Sequence, residues 1–446
     1  MKPIIDVHAH IFNAKDIPVE GYLSSREPIT FIEKSLSLCG LKSVSIPLVA
    51  KCIRKELGSE EDEHFFSNIR CRMMMGLISL FMNQYRGWAD TLSKEVVDIT
   101  NEMIDTFQKD GIDLYVPLMI DYEYWFQNTP DNPLKKQIEL IHEKIILPYK
   151  GRIHPFIPFD PARELAFRKS MLNPDRKPEL YGSLQLVKDA IEHKGFIGVK
   201  LYNAMGYKPF NNETVDDKRR SKVKLHKKMG YHIFKGDEYD QVLSELYDYC
   251  IANEVPITTH CGMYGIESYH NASFDFGQAV FWHEVLSQER YKKLHLNLAH
   301  FGWNQKHRYH ADISWVRDIC RMLGDYQHLY TDVGHHEIVV KRHASKFKSD
   351  YEKICRDFPV VKQRLLFGID WHVIKRVKNY ENFKDCYIGV LKHKYLFTDD
   401  EIEYFLGGNA MRFLVLLKGG KNRERLDVFY RKNKIDPPTW FKYVDK

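Results

Sequence analysis

Two histidines two residues apart, His8 and His10, sit in the apolar stretch Ile4-Ile5-Asp6-Val7-His8-Ala9-His10-Ile11-Phe12. Side chains on a strand alternate between faces, so Asp6, His8 and His10 share one face. Two imidazoles at the end of a buried strand can converge on one ion, which makes His8-x-His10 a candidate metal pincer. A pincer needs further donors, and the residues able to supply them close other apolar runs. His260 ends Val255–His260 (VPITTH), His300 ends Leu294–His300 (LHLNLAH) and Asp370 ends Leu365–Asp370 (LLFGID). Lys200 lies near the end of Phe196–Tyr202 (FIGVKLY). A lone histidine at a strand end is ordinarily a hydrogen-bonded structural residue, and a lone aspartate there is ordinarily a helix N-cap. It is their joint placement that points to a metal site.

The elements that must position these residues follow a rhythm. After the opening strand, residues 13–111 read as loops and helices. Phe65, Phe66, Ile69, Met73, Leu77 and Phe81 keep helical spacing, as do Leu92, Val96, Met103 and Phe107 before Gly111. This stretch is too apolar for a linker and is expected to be a helical insertion beside the first strand. From there strands and helices alternate. The predicted strands are Asp113–Ile120, Ile153–Phe159, Phe196–Tyr202, Val255–His260, Leu294–His300, Leu329–Val333 and Leu365–Asp370. Between them lie helical faces such as Leu134, Ile138, Ile141 and Ile145, or Val316, Cys320 and Leu323. With the opening strand this makes eight β/α units, which predict an α/β fold of the (β/α)8 TIM-like barrel type. An open doubly wound sheet is the alternative, and no Gly-x-Gly-x-x-Gly turn follows the first strand to support it. In such barrels the C-terminal strand ends share one catalytic rim. The whole chain, 1–446, then forms one domain with a C-terminal helical segment. The 13–111 insertion and a basic flap at 211–237, carrying Lys218, Arg219, Arg220 and Lys222, lie within it.

Composition narrows the classes of function. The 446 residues are 44% hydrophobic and 13% aromatic, enough to fill a substantial core. A net charge of +6 is mild for this length, and argues against a dedicated nucleic-acid or membrane surface. The 8 cysteines form no Cys-x-x-Cys pair, so neither a zinc ribbon nor a redox motif is present. Scattered single cysteines suit a reducing compartment, and no secretory signal precedes Pro3, so a cytoplasmic location is expected. The apolar run Met73–Met82 is too short to span a bilayer. A small-molecule substrate is the expected partner, and a homo-oligomer is compatible with the composition.

The chain resembles the amidohydrolase superfamily, and in particular its amidohydrolase-related branch, over nearly its whole length. The motifs that carry the resemblance are IDVHAHIF, GVKLYNAMGYKPF, ITTHCG, LNLAHFG, LLFGIDWH and the closing LGGNAMRFLVL (Leu406–Leu416). The resemblance implies a metal-dependent barrel enzyme, with zinc the usual ion, in one or two copies. It implies that His8, His10, His260 and Asp370 are metal ligands. His300 is implied as a ligand or as the residue that orients water or substrate. A lysine like Lys200 is, in parts of the superfamily, carboxylated and bridges two metals. The alternatives for Lys200 are a substrate-binding ammonium and a structural lysine.

The chemistry follows from the donor types. Imidazole nitrogens and a carboxylate suit Zn2+, and an ion with an open position activates water. Asp370 beside that water can take its proton and return it to a leaving group, while His300 can stabilise developing negative charge. The expected reaction is hydrolysis of a C–N or C–O bond. Non-oxidative decarboxylation of an aromatic or unsaturated acid is the second reading, and a catalytically inactive scaffold the third. Tyr202, Asn203, Cys261, Trp303, His335, His336, Trp371 and His372 follow strand ends and can line the mouth. Of these, Tyr202, His335 and His372 are taken as substrate-binding candidates. Asp6 lies deeper on the ligand face and is expected to be a structural hydrogen-bonding residue. Over an anionic substrate the basic flap can act as a lid.

Overall fold

The run Ile5–Ala9 forms strand β1, and every one of its residues is buried. Burial on both faces is the mark of a parallel strand covered by helices, and it explains the apolar Ile5, Val7 and Ala9 on one face, while Asp6 and His8 are buried polar residues on the other. The computed structural model describes residues 2–18, 21–22, 91–171, 181–223, 225, 234–263, 265–307, 310–341 and 345–443. Strand β1 pairs in parallel with β2 (Leu114–Pro117), Ile5 lying opposite Leu114. A six-stranded parallel sheet follows in chain order: β3 (Phe156–Pro158), β4 (Gly198–Leu201), β5 (Ile257–Thr259), β6 (Leu296–Leu298), β7 (Leu329–Asp332) and β8 (Leu365–Leu366). These eight strands fall inside the eight predicted apolar runs.

Hydrogen bonds join the two-stranded sheet to both edges of the six-stranded one. On one side Tyr115 N–H donates to the Arg152 carbonyl (2.8 Å) and His154 N–H to the Tyr115 carbonyl (3.1 Å). On the other, Val7 N–H donates to the Phe367 carbonyl (3.1 Å) and Asp370 N–H to the His8 carbonyl (2.6 Å). The second pair matters for the site, because it fixes the chain leaving β8 against the end of β1.

Helices cross between the strands and bury the predicted stripes. Leu134–Ile141 buries Leu134, Ile138 and Ile141, and Ser314–Asp325 buries Val316, Ile319, Cys320 and Leu323. The helix Val96–Thr106 buries Val96 and Met103, with Leu92 and Phe107 buried at its flanks, and Gly111 turns the chain at φ 64°. The other helix predicted in the 13–111 stretch, with Phe65 to Phe81, lies outside the described residues, as does Met73–Met82. Within 211–237, Asn212–Thr214 and Asp217–Arg220 are short helical turns, and Val215, Val223, Leu225 and Phe234 are buried. The sequence reading places no strand between β6 and the helix Ser314–Asp325, yet Asn304–His307 and His310–Asp312 pair there as an antiparallel ribbon. Its residues are mostly polar, so no hydrophobic alternation marks it.

The C-terminal helical segment, Asp399–Phe413, seals the opposite end of β1. Gly407 packs directly on the chain entering β1: a Cβ there would overlap the Pro3 carbonyl oxygen. Among the described residues no helix is long and apolar enough to cross a membrane.

Candidate metal centre

His8 and His10 extend from β1 to one face, as the period of two requires. Asp370 follows β8 in a left-handed backbone conformation (φ 61°), which turns its carboxylate toward them. Asp370 Oδ1 stands 3.4 Å from His10 Nε2 and 3.7 Å from His8 Nε2. Asp370 Oδ2 stands 3.4 Å from His335 Nδ1. His300 reaches the same place from the end of β6, and one donor atom each of His8, His300 and Asp370 lies within 4.8 Å of the others. His260, from the end of β5, adjoins the group through His300: its Nδ1 is 3.1 Å from His300 Nε2. The structure therefore brings together all five residues predicted for the rim, with His300 nearer the middle than His260.

The partners of each ring set its tautomer. Nδ1 of His8 donates to Asp332 Oδ1 (3.0 Å), that of His10 to the Leu118 carbonyl (2.8 Å) and that of His300 to the Gly334 carbonyl (3.1 Å). With His300 Nε2 left as an acceptor, His260 Nδ1 is the donor between them. In their neutral forms these rings carry the proton on Nδ1; His8 and His10 turn Nε2 toward Asp370 as electron-pair donors, while the Nε2 of His300 accepts from His260. For His300 this favours a ligand or acceptor over a donor to an oxyanion.

The electrostatics are those of a buried charged cluster. Burial works against a charged His8, but Asp332 and Asp370 outweigh it and raise its pKa. Burial dominates at His10 and His300 and lowers both, His8 and His260 adding to the effect at His300. Burial would raise the Asp370 carboxyl; His8 and His10 overcome it and hold it well below the usual range. Asp332 is held low in the same way, chiefly by His8. Asp6 lies deeper and accepts the N–H groups of His8 (3.0 Å) and Ile369 (3.1 Å) on Oδ1, and burial pushes it up to about 7.

Lys200 is buried, and burial pushes its amine down to about 8, against the pull of Asp332 and Asp370. The three predicted substrate contacts differ in their surroundings. His335 is 25% exposed, and its Nε2 bonds Glu337 Oε1 at 2.9 Å. Tyr202 lays its ring 4.8 Å from that of His260, and its hydroxyl accepts the Ile266 N–H. His372 is fully buried against Phe12, and burial lowers its pKa to about 3.

The donor set fits a divalent ion. Two ligands about 2 Å from a tetrahedral ion stand about 3.4 Å apart, close to the His10 and His8 distances to Asp370. Asp370 Oδ1 is buried without a hydrogen bond, an arrangement that costs free energy unless a cation satisfies it.

Sequence reasoning missed Asp332. Its Oδ1 accepts from His8 Nδ1, from Gly334 N–H (2.9 Å) and from His300 N–H (3.2 Å), while Oδ2 accepts from Asn297 Nδ2 (2.7 Å). The available signal was its position, the last residue of the strand Leu329–Asp332. Gly334 and Gly368 were missed as well: a Cβ on either would stand 2.8 Å from His8 Nδ1 or 2.7 Å from His8 Cβ.

Comparison with known proteins gives one family match. A family model described as amidohydrolase matches residues 163–416, a span that includes Lys200, His260, His300, Asp332 and Asp370. No curated protein matches the chain. Among solved structures, a Burkholderia multivorans amidohydrolase with bound zinc is 12% identical, covering 70% of this chain and 87% of that one, at a TM-score of 0.41. A Thermotoga maritima uronate isomerase is 12% identical, covering 92% and 94%, at 0.43. A Novosphingobium aromaticivorans 5-carboxyvanillate decarboxylase with bound manganese is 9% identical, covering 93% and 97%, at 0.41.

Proposed function

The chain belongs to the amidohydrolase family, and on that premise we propose that it is a metal-dependent hydrolase acting on a C–N or C–O bond of a small organic substrate. The observation that carries this reading is the buried Asp370 Oδ1, without a hydrogen bond and facing Nε2 of both His8 and His10. In this reading His8, His10, His260 and Asp370 hold the ion, with His300 as a further ligand, and zinc is the expected metal. The eight strands close as a (β/α)8 barrel; the hydrogen bonds that tie β1 to the chain after β8 and β2 to the chain before β3 support closure. The chain is one domain, with 13–111 as a helical insertion and 211–237 as a flap.

A divalent ion in this place supplies Lewis acidity toward a substrate carbonyl or a water. The chain's own residues supply the rest. Asp370, held ionised, turns Oδ1 to the imidazoles and leaves Oδ2 to accept a proton from the attacking water and return it to the leaving group. His335, beside Oδ2 and partly exposed, contacts the substrate side of that carboxylate. Asp332 keeps the His8 proton on Nδ1. Lys200, with its amine pushed toward neutrality by burial, is suited to carboxylation, which needs the unprotonated amine.

The test is a panel of lactones, esters, amides and aromatic acids offered to the zinc-loaded protein, with Asp370→Asn alongside. Incorporation of water into a product, lost in the variant, is the expected result. Release of CO2 from an acid without incorporation of water would replace the reading with decarboxylation. Unchanged turnover in Asp370→Asn would overturn the site itself.

A further inference from the structure

His300 stands in the metal-binding group with an uncommon backbone. Both it (φ 65°, ψ 9°) and Phe301 (φ 51°, ψ 23°) are left-handed, a conformation that residues with a Cβ adopt only when their surroundings enforce it. Those surroundings are specific. The His300 N–H donates to Asp332 Oδ1 (3.2 Å), and its carbonyl accepts from Trp303 N–H (2.9 Å) and from His336 Nε2 (3.0 Å).

The bond from His336 begins a chain whose direction can be assigned. A carbonyl only accepts, so His336 Nε2 carries the proton and, in the neutral ring, Nδ1 is an acceptor. The Tyr387 hydroxyl, 2.9 Å from Nδ1, must then donate to it. Having donated its one proton, Tyr387 can only accept from the Tyr351 hydroxyl, with which it is also hydrogen-bonded. Tyr351 and Tyr387 lie on the helices Ser345–Asp357 and Phe383–Leu391, and all three side chains are buried. Trp303 and Phe347 pack against the His336 ring, at 5.6 and 5.8 Å between centroids.

We propose that Tyr351, Tyr387 and His336 form a one-way hydrogen-bond chain that positions His300, holding its left-handed backbone so that the imidazole faces His8 and Asp370. His336 is a positioning residue: it acts through the His300 carbonyl and does not itself touch the reacting groups. The significance of the chain for catalysis rests on the functional reading above; its existence does not.

The experiment reads the rings directly. Long-range proton–nitrogen NMR spectra are recorded on metal-free protein labelled with 15N-histidine, with His336, His300, His154, His8 and His10 assigned by single substitution. The wild type is expected to show His336 as the Nε2–H tautomer. Tyr387→Phe removes the donor to Nδ1 while the His300 carbonyl still holds the proton on Nε2, so it is expected to keep the His336 tautomer, shift its Nδ1 resonance to that of an unbonded acceptor and shift the His300 ring nitrogens, with His154 unmoved. Tyr351→Phe, a milder change, is expected to shift His336 and His300 in the same direction, and serves where Tyr387→Phe does not fold. An Nδ1–H tautomer in the wild type, or a His300 that stays put while His336 changes, overturns the proposal. Zinc added to the same wild-type sample separates the two readings. If no resonance of His8, His10 or His300 responds, the metal site fails while the positioning result stands.

Discussion

His8 Nδ1 and Asp332 Oδ1 stand 3.0 Å apart with both side chains buried, across the 324 residues of sequence that separate β1 from the end of β7. This contact is what suits His8 to the ligand role proposed for it, where an ordinary core histidine would lack such a partner. The carboxylate accepts the Nδ1 proton, so the electron pair on Nε2 points into the site. Partners of this kind typically change metal affinity by about 10- to 100-fold when removed. Asp332→Asn keeps the size and an acceptor oxygen but loses the charge. We expect its zinc affinity, measured by competition with a chelating dye, to fall by about 10-fold or more. An affinity equal to wild type would mean that Asp332 does not support the ligand.

The space beside His8 is equally specific. Gly334 runs so close that a Cβ would stand 2.8 Å from His8 Nδ1 and 3.0 Å from Asp332 Oδ1. Gly334→Ala is therefore expected to break the His8–Asp332 bond and reduce both Tm and zinc binding. Gly324, in the helix Ser314–Asp325, has open space on its side-chain face, with no atom within 4 Å of where a Cβ would stand, and serves as the control. Gly324→Ala is expected to stabilise the helix by about 0.5–1 kcal/mol and leave zinc binding unchanged. Calorimetry with and without zinc distinguishes the two.

His154 lies away from the metal group, before β3, and is held neutral. Its Nδ1 donates to the Gly195 carbonyl (2.7 Å), its Nε2 accepts from the Tyr430 hydroxyl (2.6 Å), and burial lowers its pKa from 6.5 to about 4. Between those values the unfolded chain binds a proton that the folded chain does not, so stability falls as the pH drops. The contribution is fully present above pH 6.5 and is lost as the pH falls toward 4. At full extent the loss is about 3 kcal/mol. Denaturant unfolding at several pH values should show His154→Gln with a shallower acid slope, by about 1.4 kcal/mol per pH unit at most. Parallel slopes would mean that His154 titrates normally in the folded protein.

The parallel strands were legible because each is buried on both faces and lies in a mostly apolar run, as β2 (LYVP) and β3 (FIP) do. The ligand candidates were legible because they end those runs, where α/β enzymes place their chemistry. Asp332 ends the strand Leu329–Asp332 but sits inside the predicted run Leu329–Val333, and its meaning lies in a contact with His8 that no local pattern encodes. The chain from Tyr351 to His336 depends on how two helices dock, and each tyrosine alone reads as core. The ribbon after β6 escaped because its polar residues carry no alternation. For 13–111 the helix Val96–Thr106 appears with the expected face inward, while residues 23–90 lie outside the described part of the chain.

The central claim is that His8, His10 and Asp370 belong to a metal centre, and metal content per chain tests it most directly. Protein prepared with bicarbonate and without chelator, then dialysed against trace zinc, is measured by elemental mass spectrometry beside a His8→Ala/His10→Ala variant. The account predicts about one tightly held divalent ion per chain in the wild type, about two if Lys200 is carboxylated, and almost none in the variant. A wild type that holds no metal, or a variant that holds as much as the wild type, would contradict it.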